Sequence, residues 1–257
     1  MADQSSSPLP PESQASDITE SEVLWLQDHF HLPLEYEVSV PGPEDRVSSP
    51  PDGRLAVYQD FLWGGLRFPI PEFVRSLLRF YNVVLAQLTP NSIRMVLSFA
   101  VLCSLHEIRP RVGLFRAFFV LRRNPQAEGW WCFGPRPKRT LFKGFPSSIH
   151  GWREKFFFLG SHSGWGFNTV WGEPYLGANK DDNVGDTNWD DFCVLRDSVG
   201  PSPTVLLTEE NLFHAGLSPM ESLGGRGRHW LFCGFCAFVV SFVHVRSVIR
   251  SLCLLQV

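Results

Sequence analysis

The sequence shows no apolar run in its first residues, no glycine-rich phosphate loop and no paired metal-ligand cysteines, and each gap argues against a class of function. Its first 17 residues, MADQSSSPLPPESQASD, are polar and acidic, so no secretory signal is expected. Six cysteines (Cys103, Cys132, Cys193, Cys233, Cys236, Cys253) follow no regular spacing. No disulfide framework is implied, which fits a reducing, intracellular setting, nuclear or cytoplasmic. Cys233 and Cys236 have a redox-like spacing but no second pair and no βαβ context. There is no Gly-x-Ser-x-Gly, no P-loop and no dinucleotide fingerprint. The histidines at 29, 31, 106, 150 and 162 show no metal-ligand spacing, and Ser161-His162-Ser163-Gly164 has no identifiable partner. No cofactor, metal or small-molecule ligand is implied, and no enzyme is expected.

Two further shortages concern charge. Lysine is scarce, with arginine supplying most of the 23 basic residues. Acidic residues are nearly missing from the centre: residues 61–160 hold 15 Lys/Arg against 4 Asp/Glu. The first 60 residues have 2 against 12, and 161–225 have 2 against 10. A net charge of −3 therefore conceals a basic middle between two acidic flanks.

What is present reads in order. Residues 1–18 lack the apolar surface needed to offset ordering entropy and are expected to be disordered. Thr19-Glu20-Ser21-Glu22 is a capping box that opens a helix through Val23, Leu26 and Phe30. Residues 32–53, rich in proline and acid, read as a solvated connector, so 19–59 is a helix plus linker. Pro71, Pro90 and Pro110 each open an amphipathic helix. The apolar stripes are Phe73/Val74/Leu77/Leu78/Tyr81, Ile93/Val96/Leu97/Ala100/Val101/Leu105 and Leu114/Phe115/Phe118/Phe119. Arg122 and Arg123 are read as the basic last turn of the third. After Gly129 come aromatic runs at 130–133, 140–142, 155–159 and 167–171, expected as strands or extended segments on those helices. Residues 177–191 form an acidic loop that fails the EF-hand pattern, since Asp186 stands where glycine is needed. A capped helix follows Thr208. The fold expected is α+β and helix-rich: a compact bundle of amphipathic helices with short aromatic strands packed on it.

Several short blocks in this order carry a resemblance. They are Phe68-Pro69-Ile70-Pro71-Glu72-Phe73-Val74, Leu88-Thr89-Pro90-Asn91-Ser92, Leu114-Phe115-Arg116-Ala117-Phe118-Phe119 and Trp130-Trp131-Cys132-Phe133. Gly144-Phe145-Pro146-Ser147-Ser148 and Gly151-Trp152-Arg153-Glu154-Lys155-Phe156-Phe157-Phe158 complete the set. The stretch from about 60 to 217 resembles the plant gypsy-type transposon (transposase, gypsy type) domain family. The resemblance implies a retroelement-derived plant protein and supplies no catalytic residues. Where that family tends to continue into long charged extensions, 218–257 is a linker and an acid-free apolar tail. Its Phe, Cys, Val and Leu content suits translation of T-rich non-coding sequence. Its residues 230–249 are also a borderline membrane helix, giving a tail-anchored alternative.

The basic–aromatic band is the remaining candidate site. Arg109, Arg111, Arg116, Arg122, Arg123, Arg136, Lys138, Arg139 and Lys143 lie beside Trp130 and Trp131. Cations neutralise phosphates and exposed aromatics stack on bases, so the band suits single-stranded nucleic acid. The competing reading makes the tryptophans core and the arginines solvated or paired. A non-enzymatic interaction or structural module is expected, for self-association or nucleic acid. The alternative, a transposase- or nuclease-like enzyme, needs carboxylates to converge, and the basic segment offers Glu72, Glu107, Glu128 and Glu154.

Overall fold

The computed structural model describes residues 14–145, 149–179, 189–198 and 200–219. Helix α1 (Glu20–His29) begins at the capping box read from sequence: Thr19 Oγ1 accepts from the Glu22 N–H, and the Glu22 carboxylate accepts from the Thr19 N–H at 2.7 Å. Strand β1 (Tyr36–Ser39) follows, then β2 (Arg54–Tyr58), and helix α2 (Gln59–Trp63) continues directly from it. Helix α3 (Glu72–Tyr81) buries the whole stripe Phe73, Val74, Leu77, Leu78 and Tyr81 and stops at Asn82, which adopts the left-handed conformation (φ 48°). Helix α4 (Pro90–Leu105) has proline at its first position and is buried on nearly every side, from Ser92 through Cys103 except Arg94. A helix apolar all round is a central one. Helices α2, α3, α7 (Pro203–Leu206) and α8 (Glu209–His214) pack around it, as does strand β4 (Trp131–Pro135).

Helix α5 (Val112–Phe118) ends two turns in, and the chain passes straight into strand β3 (Phe119–Arg123). Arg122 and Arg123 therefore lie on a strand and not in a last helical turn. The physical reason is pairing: β3 runs antiparallel to β4, with Leu121 opposite Phe133 and Arg123 opposite Trp131. The ladder outbids another helical turn. Strand β5 (Phe156–Ser161) is the centre of a second, three-stranded antiparallel sheet in the order β1-β5-β2. Helix α6 (Trp189–Asp197) takes in Asp190 and Asp191, which the sequence placed in a loop; as first-turn acids they suit the helix dipole.

The connector expected over 32–53 is likewise different. It supplies β1, whose Val38 faces Leu159 in register, and it buries Leu32 and Val47. Strand β5 needs a partner on each edge, and this stretch provides one. The end of the N-terminal arm is also docked: Ser16 Oγ donates to the Phe156 carbonyl (2.6 Å), the Asp17 N–H donates to Glu154 O (2.8 Å), and Ile18 is buried. Leu141 and Phe142 are buried in irregular chain, and 167–171 forms no strand. Residues 1–13, most of the acidic loop and the tail from 220 onward, including 230–249, lie outside the described residues. Among those described, no helix is long and apolar enough to cross a membrane.

The stripes and the aromatic runs meet as the sequence pattern requires. Phe73 stacks on Phe99, Phe115 meets both edge-on, and Phe133 of β4 closes against Phe115 and Tyr81. The fold is α+β and helix-rich, with its core at this seam.

Candidate functional site

Trp130 and Trp131 are each 2% exposed, so neither offers a face to a base. Trp130 donates its indole N–H to the Tyr58 hydroxyl at 3.0 Å and meets Trp152 and Trp171 edge-on. Burial pushes the Tyr58 phenol well above its ordinary range, so it stays a neutral partner. The band's tryptophans are core; Trp165, elsewhere, stacks on Tyr36 of β1.

The cations divide. Arg136 and Arg139 follow β4 and turn back on α5, where Arg136 Nε donates to the Arg116 carbonyl (2.6 Å) and Arg139 to the Ala117 carbonyl (2.7 Å). These are last-turn carbonyls, which cations favour. The dipole complement expected from Arg122 and Arg123 thus comes from residues about 20 positions beyond the carbonyls they cap. Arg139 also lies over the Phe192 ring (5.5 Å) and Arg116 over Phe80 (4.7 Å). Arg111 pairs with Asp191, tying α5 to α6, while Arg123 pairs with Glu173 (3.1 Å) and covers the Trp131 ring (5.2 Å). Arg122 donates to the Pro135 carbonyl at 2.9 Å and stays exposed. Arg109, in the turn before α5, Lys138 and Lys143 are exposed. Among the described residues, Arg109, Arg122, Lys138 and Lys143 have no carboxylate partner. The structure therefore keeps positive charge at the surface and takes the faces of Trp130 and Trp131 away.

Two features were not legible in the sequence. A cleft of about 510 Å³ opens between the start of α4, the β3–β4 turn and the 3-10 turn Trp152–Glu154, with Asn91, Asn124, Gln126, Cys132, His150 and Arg153 on its walls. Burial raises the Cys132 thiol, which makes it a poor nucleophile. Elsewhere His106 Nε2 and Ser198 Oγ are 2.8 Å apart, but the Ser198 hydroxyl donates to the Val194 carbonyl, so that hydrogen is committed to a helix end. Among the described residues, no three His, Cys, Asp or Glu side chains gather where a metal ion would sit. Glu72 is engaged by Arg75 and Arg79 on α3, and Glu154 sits at the cleft.

Residues 56–123, which run from β2 to the end of β3, match a family model described as "Putative gypsy type transposon". This is the family whose motifs were read from the sequence. Within the matched region lie the Phe68–Val74, Leu88–Ser92 and Leu114–Phe119 blocks, carried by α3, α4 and α5. A curated protein of Arabidopsis thaliana, an uncharacterized chloroplastic protein, is 32% identical over 154 residues, or 59% of this chain. The present chain spans only 19% of that relative's length. No solved structure matches the chain.

Proposed function

We propose that this chain is a retroelement-derived, non-enzymatic interaction module that touches nucleic acid through its phosphates. The observation that supports this is the separation of charge from stacking. Four exposed cations, Arg109, Arg122, Lys138 and Lys143, lack carboxylate partners among the described residues, while Trp130 and Trp131 are sealed in the core. Such a surface attracts the backbone of any sequence and reads no base. Affinity of this type is weak and falls steeply with salt, at a slope of about −0.7 per neutralised phosphate on a single strand.

The test uses the full chain and a fluorescent single-stranded oligonucleotide across a salt titration. The expected result is binding at low salt, insensitive to sequence, that falls log-linearly with salt. Replacing Arg109, Arg122, Lys138 and Lys143 by glutamine is expected to abolish most of it, with the thermal midpoint unchanged. No binding at low salt, or binding indifferent to the fourfold variant, overturns the reading.

A further inference from the structure

Three indoles are exposed among the described residues, and Trp189 differs from the other two. Trp25 and Trp63 stack on each other at 5.8 Å, and His29 lies flat on Trp25 at 4.3 Å, so their faces are taken up within the molecule. Trp189, the first residue of α6, is 61% exposed. Its ring lies nearly parallel to Phe192 (5.1 Å, 22°), and Phe192 lies nearly parallel to Phe118 (4.7 Å, 19°). Phe192 and Phe118 are buried, so the three rings step outward from the core and end in an indole at the surface. Among the described residues, no other ring stacks on Trp189 and no guanidinium lies over it. A ring fixed from beneath and open outward loses little freedom when another flat group stacks on it.

Helix α6 also gathers the cations. Arg111, at the start of α5, pairs with Asp191, two residues on from Trp189. Arg139, which closes the other end of α5, lies over the Phe192 ring at 5.5 Å, three residues on from Trp189. Arg109 precedes Arg111 by two residues and Lys138 precedes Arg139 by one; both are exposed, and neither has a carboxylate partner among the described residues. Helix α5, with seven residues, is about 10 Å long, so both cations lie within reach of one short strand. Asp191 is neutralised by Arg111, whereas Asp190 opposes phosphate beside the ring, which favours a contact through the base at that point. We infer that Trp189 is a stacking platform for one unpaired base of a single nucleic-acid strand whose phosphates lie on Arg109 and Lys138. This rests on the phosphate contact proposed above and adds to it a preference for single strands. A duplex keeps its bases stacked on each other and offers the indole no face, whereas an unpaired base of any identity has a π-face to give.

The experiment titrates the full chain and its Trp189→Ala and Trp189→Phe variants with three fluorescent probes: a mixed-sequence single-stranded DNA, an abasic strand of the same length, and the duplex. Trp189→Ala is expected to weaken binding of the intact single strand about tenfold and to leave the salt slope unchanged. The abasic strand is expected to bind the full chain about tenfold more weakly than the intact strand does, and to bind Trp189→Ala equally well. Duplex affinity is expected to be the same for both proteins. Trp189→Phe keeps a ring and is expected to retain most of the single-strand affinity, and Trp25→Ala all of it. Should Trp189→Ala prove destabilised, the comparison of intact and abasic strands on the unmodified chain decides. Single-strand binding that Trp189→Ala leaves intact, or that it weakens equally for intact and abasic strands, overturns the stacking while the phosphate contact stands. Absence of salt-dependent binding to every probe removes the phosphate contact, and the stacking with it.

Discussion

Trp130 shows how one hydrogen bond assigns a residue its role. The indole N–H and the Tyr58 hydroxyl satisfy each other inside the core, so the two possible deletions are unequal. Tyr58→Phe leaves a buried indole donor without a partner and is expected to cost about 1–3 kcal/mol. Trp130→Phe removes the donor together with part of the ring and leaves a cavity, at a cost of a few kcal/mol. Urea unfolding of both variants checks this, and under the proposed phosphate contact neither variant changes nucleic-acid affinity while folded. Glu22 is a second residue with a definite signature. The Thr19 backbone N–H and the Lys155 ammonium pull its carboxyl down to about 2 from 4.5. A depressed acid stabilises the fold in full above its unfolded value, and that contribution is lost as pH falls from about 4.5 through about 2. Glu22→Gln is expected to flatten this part of the stability–pH curve and to leave its slope above pH 5 unaltered, as followed by circular dichroism.

Among the elements, α5 depends most on distant sequence. Its seven residues make few internal hydrogen bonds, and its carbonyl end is closed by Arg136 and Arg139 from beyond β4. Replacing both by methionine keeps much of the apolar stem and strips the donors from the Arg116 and Ala117 carbonyls. The expected loss is about 1–3 kcal/mol per abandoned carbonyl, with hydrogen exchange accelerating first in 112–123. Faster exchange confined to another element would show that the two guanidiniums do not close α5. In this region the sequence pattern located the helix and missed its end, because Phe119, Leu121 and Phe133 suit a helix stripe and a strand face equally. Only the pairing of β3 with β4 distinguishes them.

At the scale of the whole molecule, the family match and the folding unit differ. Residues 56–123 begin inside β2, yet among the described residues β2 pairs with β5 alone, and β5 is flanked on its other edge by β1. A chain trimmed to 60–217, the boundaries suggested by sequence, lacks both partners of Phe156–Leu159. It is expected to elute as aggregate in size-exclusion chromatography, through an unpaired apolar strand. A chain of 14–219 keeps Ser16, Ile18, β1 and β2 and is expected to elute as a discrete species. Equal behaviour of the two would mean that the three-stranded sheet is dispensable.

Local chemistry is what the sequence determined alone. Thr19 and Glu22 announce the first helix, proline opens α4, the apolar stripes of α3 and α4 mark their buried faces, and the three transposon-family blocks within 56–123 are recognisable in order, because each rests on neighbours within a few residues. The tertiary structure decided everything that needs two distant segments to meet. It made a proline-rich connector into a sheet edge, turned two tryptophans inward, used two arginines to finish a helix, and set Trp25 against Trp63. Periodicity tells which side of an element is apolar, but the partner that covers that side is chosen by packing across the chain.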